Sequence, residues 1–124
     1  MAKDRLSKHE RRVVDLALKY GAAMNLGNWD IHIKFPKPFP NDHGPDCYAF
    51  TAADWEYEQA IINFNSAKTK DASDTILHET IVHELVHCWL DCLTPKDNAG
   101  SGQLERITTQ ISRALVKRYG DIDD

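Results

Sequence analysis

Nowhere in the 124 residues does an apolar run approach the roughly 20 needed to cross a bilayer, and no apolar stretch of a secretory leader follows the basic N-terminus. The reading is therefore a soluble, cytoplasmic protein with no membrane role. Cysteine is scarce as well: three residues, an odd count without regular spacing, exclude a disulfide framework and fit a reducing compartment. Positive charge is not in excess either. With 15 Lys and Arg against 19 Asp and Glu, the formal net charge of -4 argues against a nucleic-acid partner held by phosphate neutralisation. The basic cluster of Lys3, Arg5, Lys8, Arg11 and Arg12 is read as a solvated helix face. Internal repeats are absent, and the length is that of a single domain spanning 1–124.

What is there divides into alternating signals. Ser7 with Glu10 three residues on is a capping box, and Val13, Leu16, Ala17, Tyr20 and Met24 repeat at helical spacing, so an amphipathic helix is expected to run to near Gly27. In the segment 29–35, Trp29, Ile31, Ile33 and Phe35 alternate with Asp30, His32 and Lys34, the pattern of a half-buried strand with His32 on its polar side. Prolines at 36, 38 and 40 make 36–46 a loop that includes His43. Strands are expected at 47–53 and 59–65, joined by a polar turn at 54–58. A helix from about 75 to 93, capped by Ser73 or Asp74 and stopped at Thr94-Pro95, is apolar around most of its circumference and hence central. A loop at 96–102 leads to a last helix with Leu104, Ile107, Ile111, Leu115 and Tyr119 expected to face the core. The fold class is α+β, with a sheet of about three strands on a central helix and helices at both ends of the chain.

That central helix carries the chemistry. His83 and His87 stand four residues apart, one above the other and roughly 6 Å distant, so both imidazoles can converge on one ion. Glu84 lies about 100° round the helix, able to reach a water on that ion without displacing it. This is an HExxH pattern, in which a metal such as Zn2+ acidifies a water and the glutamate takes the proton as the water attacks a carbonyl. The competing reading is two core histidines satisfied by backbone carbonyls. Burying two His and a Glu on one apolar helix without a partner would cost several kcal/mol, however, which a metal relieves.

A catalytic zinc takes three protein ligands and one open position. No histidine follows His87, and Leu90 and Leu93 stand where an HExxHxxGxxH extension needs Gly and His. Asp91, eight residues from His83, is roughly 12 Å along the helix and too far to share the ion. Cys88 points away and Cys92 is a turn too far, so both read as small core residues. The third ligand is therefore expected from another element. Glu105, early in the last helix and in line with Thr108, Thr109 and Ser112, is placed to supply it; its competing role is to favour the helix N-terminal dipole.

These residues, "HELVH" at 83–87 followed by "LER" with Glu105 eighteen residues after His87, resemble the gluzincin branch of the zincin metallopeptidases. The layout over about 29–119 is similar to the compact members, the minigluzincins and the ImmA/IrrE peptidase domain, which are often phage- or prophage-encoded. The resemblance implies a zincin-like domain holding Zn2+ through His83, His87 and Glu105, with Glu84 as general base. It further implies an edge strand at 47–53 on which an extended peptide or protein substrate is laid. Tyr48, Tyr119 and His43 are the candidates for steadying the oxyanion. The expected function is zinc-dependent endopeptidase, with a zinc-stabilised, weakly catalytic binding protein as the alternative; the oligomeric state is left open.

Overall fold

The computed structural model describes residues 5–40, 46–93 and 101–119; His43 and the Thr94-Pro95 stop lie outside them. Helix α1 (Lys8–Ala23) begins at the expected capping box, with the Ser7 hydroxyl accepting from the Glu10 N–H at 3.1 Å and Glu10 accepting from the Ser7 N–H at 3.0 Å. It stops four residues short of Gly27. Asn25 adopts the left-handed φ of 63°, and its N–H and that of Leu26 return to the carbonyls of Ala22 and Gly21. This is a Schellman motif with Asn where Gly is commoner, and Leu26 is buried beneath it.

Strands β1 (Asp30–Lys34), β2 (Ala49–Asp54) and β3 (Gln59–Phe64) form a mixed sheet in the order β1-β3-β2, parallel between β1 and β3 and antiparallel between β2 and β3. The β2–β3 turn closes at Glu58, with φ of 51°, while the Asp54 carboxylate accepts from the Glu56 N–H at 3.2 Å. The register places Ile33, Ile62 and Thr51 in one row across the sheet, on the face that the helices cover.

A five-residue helix, α2 (Ser66–Lys70), falls where the sequence reading placed no element. Asn65 caps it, accepting from the Lys68 N–H at 3.3 Å, too short a span for apolar periodicity to register. Helix α3 (Asp74–Leu90) follows its Ser73 cap and tightens into a 3-10 turn over Asp91–Leu93 rather than continuing as α-helix. It lies between the sheet, α1 and the last helix, α4 (Ser101–Arg118). The core is one contiguous cluster in which Leu16, Tyr20, Ile62, Phe64, Ile81 and Leu85 are essentially inaccessible.

Two expectations fail on α4 and at the end of α3. Ile107 is 47% exposed, and the residues that α4 buries are Thr108 and Ser112. Their hydroxyls donate to the carbonyls one turn back, at 2.7 Å to Leu104 and 2.6 Å to Thr108, so two polar side chains enter a tight helix contact already satisfied. Cys92, expected in the core, is exposed because the chain has left the α-helical path by that point; Cys88 is buried as expected.

Candidate metal centre

Helix α3 presents His83 and His87 on one face, with ring centroids 5.0 Å apart. The other wall comes from α4: the Glu105 carboxylate lies 2.6 Å from His83 Nε2 through one oxygen and 3.5 Å from His87 Nε2 through the other. The fold thus brings together the three residues singled out as ligands, from two helices of which one ends at Leu90 and the next begins at Ser101. Glu105 is the most open of them, at 56% side-chain exposure against 21% and 32% for the histidines. Burial, opposed by the Glu105 carboxylate and reinforced by the His83 ring, holds the His87 pKa below its ordinary value, favouring the neutral imidazole that donates a lone pair.

Glu84 is the buried member, 6% exposed. Its carboxylate accepts a hydrogen bond from the Thr51 hydroxyl at 2.7 Å, and its donor oxygen lies in one group with the His83 and His87 nitrogens, all within 4.8 Å of one another. Thr51 was missed in the sequence. The signal was present: alternation puts it on the inner face of β2 between Ala49 and Ala53, a lone hydroxyl among small apolar side chains.

The donor set fits a metal ion. Two imidazole nitrogens and a carboxylate oxygen are ligands of zinc sites that keep an open position, and donors 2.0–2.1 Å from one zinc stand about 3.3 Å apart, so 2.6 and 3.5 Å lie within a small side-chain adjustment. A physical reason supports the fit. Three lone-pair donors aimed at one spot repel unless something electropositive, a proton or a cation, sits among them. A cleft of about 270 Å³ opens beside His83 and Glu84, lined also by Tyr48, Ala49, Ile76, Glu79 and Thr80. The group His83, Glu84 and His87 can hold a metal ion.

Other candidates separate from this centre. Tyr48 borders the cleft, whereas Tyr119 lines a different depression with Met24, Trp89 and Leu115. Asp91 accepts from the Trp55 N–H at 3.0 Å and so braces the β2–β3 turn. Burial pushes the Cys88 thiol up to about 12, which leaves it an inert core group. His32 is exposed beside Asp30 at 3.2 Å, and His78 meets the hydroxyl of buried Tyr20 at 2.7 Å. No helix among the described residues is long and apolar enough to cross a membrane. No protein-family model, curated protein or solved structure matches the chain.

Proposed function

We propose that the protein is a zinc-dependent peptide hydrolase of compact, gluzincin-like design, with His83, His87 and Glu105 holding the ion and Glu84 as general base. The observation that carries this reading is Glu84: a carboxylate buried beside two histidines, oriented by the Thr51 hydroxyl and bordering an open cleft, suits proton abstraction. When bound, the ion would supply Lewis acidity and an acidified water. The chain's own residues do the rest. Thr51 orients Glu84 towards the cleft, the burial of Glu84 limits competing solvent, and Tyr48 stands at the cleft wall as a hydrogen-bond donor for a developing oxyanion.

Substrate placement follows from β2, which is a sheet edge. The Asn65 N–H donates to the Tyr48 carbonyl at 2.8 Å, so in the antiparallel alternation Phe50 and Ala52 pair with β3, while Ala49, Thr51 and Ala53 turn their N–H and C=O outward. An extended peptide can add to that edge and lie along the cleft.

The test is Glu84→Gln in the zinc-loaded protein, assayed on a disordered protein such as casein. Zinc content should be unchanged and cleavage should fall by about 100-fold or more. Equal cleavage by the variant defeats the general-base assignment. A second reading, a zinc-stabilised binding protein, draws on the contact of Glu105 with α3, since an ion there would tie two helices together. A parent that holds zinc tightly yet cleaves no offered polypeptide would favour it.

A further inference from the structure

The sheet has a second edge, on the side away from the candidate metal centre. The Asp30 N–H donates to the Glu58 carbonyl at 2.8 Å, and in a parallel ladder every second residue faces the same neighbour, so Asp30, His32 and Lys34 bond to β3. Ile31 and Ile33 therefore point their N–H and C=O groups outward, and among the described residues no strand takes them up. Beside that edge runs an apolar groove of about 290 Å³ walled by Leu18, Trp29, Ile31 and Ile33, with Leu18 65% exposed. A bare edge next to an apolar groove is a combination that monomeric proteins normally block.

We propose that this face is the docking surface for a second copy of the chain, with β1 pairing antiparallel to its own counterpart about a twofold axis at His32. The sequence of β1, Asp-Ile-His-Ile-Lys, is self-complementary in that register. Asp30 meets the partner's Lys34, Ile31 meets the partner's Ile33, and His32 meets its own copy. The backbone agrees independently of the charges. Ile31 and Ile33 are the residues with outward-facing groups that no described strand takes up, and in this register they become the two hydrogen-bonded pairs, four bonds in all, while 30, 32 and 34 keep their bonds to β3. The side chains of Ile31 and Ile33 lie on the helix-covered face, so the same apposition brings the two apolar grooves together and covers Leu18. A foreign strand would satisfy the backbone but has no reason to match acidic and basic ends in this order. The product is a six-stranded sheet with β2 and its cleft at each outer edge, both still open.

Sedimentation of the 124-residue chain over a range of concentration tests this, with circular dichroism confirming that each exposed-site variant stays folded. The parent should show a concentration-dependent dimer. Lys34→Asp sets acid against acid at both ends of the strand pair and should weaken the dimer by about tenfold or more. Adding Asp30→Lys to that variant reverses both ends and should restore association. Register has its own readout: His32→Cys places two thiols at a non-hydrogen-bonded antiparallel position, about 4.5 Å between Cα atoms, and should cross-link on oxidation, whereas Lys34→Cys should not exceed the parent's background. A parent that stays monomeric at every concentration overturns the proposal. So does a dimer indifferent to Lys34→Asp, a double exchange that fails to restore it, or equal cross-linking at 32 and 34.

Discussion

Two carboxylates buried for different reasons show what single residues do in this molecule. Glu10 is 1% exposed, and burial by itself would push its carboxyl up; the Lys37 ammonium at 2.8 Å, the Ser7 N–H and the Ser66 hydroxyl outweigh that and hold it down to about 2. The folded pKa lies below the unfolded value near 4.5, so the stabilisation is fully present above that value and is lost as pH falls from there through about 2. A shift of this size is worth about 3 kcal/mol. Urea unfolding at stepped pH should therefore show Glu10→Gln costing the most at neutral pH and progressively less below pH 4.5. A penalty independent of pH would contradict the ion-pair account. Glu84, by contrast, accepts a hydrogen bond from a neutral group, the Thr51 hydroxyl at 2.7 Å. If the hydrolase reading holds, Thr51→Val should keep zinc and KM while lowering kcat by about 10–100-fold, with Thr51→Ser restoring most of it. Equal loss in the Ser variant would mean that the methyl packing, not the hydroxyl, matters.

At the scale of elements, the centre is a junction between α3 and α4. The core does not include Glu105, so Glu105→Ala should leave helix content intact while zinc affinity, measured by competition with a chromogenic chelator, drops by about 100-fold or more. Unchanged affinity would remove Glu105 from the site. The β2 edge gives a paired test of a different kind. The N–H of Phe50 faces β3 and that of Ala49 faces outward, so Phe50→Pro should destabilise the fold by about 1–3 kcal/mol more than Ala49→Pro; if the hydrolase reading holds, Ala49→Pro should be the variant that impairs peptide binding. Reversed stabilities would show the ladder to be in the other phase.

For the molecule as a whole, the apolar cluster of α1, the sheet and α3 closes without help from the candidate metal centre, which sits at its margin. Chelation should accordingly lower the melting temperature by about 10 °C, the shift expected for removing a ligand present at about 100 times its Kd, and should not unfold the chain. Far-ultraviolet circular dichroism in EDTA checks this. A random-coil spectrum at room temperature would mean that the ion is part of the core after all.

The sequence by itself determined most of what depends on near neighbours. Helical spacing fixed α3 and put His83 and His87 on one face; the Ser7–Glu10 box fixed the start of α1; alternation fixed the inner and outer faces of β1 and the polar exposure of His32. It also identified β2 and β3 as a hairpin. What it missed was decided by contacts between distant residues. The end of α1 depends on Asn25 taking a left-handed φ, which a Gly27 nearby disguised. The inward face of α4 went to Thr108 and Ser112 instead of Ile107, because a close helix contact favours small side chains whose hydroxyls can bond to their own backbone. The same holds at the site. Spacing proposed Glu105, but only the packing of α4 on α3 brings its carboxylate to 2.6 Å from His83, and only the sheet register brings Thr51 to Glu84, 33 residues away. Local pattern carries information over a turn or two of chain; which surfaces meet is settled by burying the whole apolar set at once, and no segment read alone contains that choice.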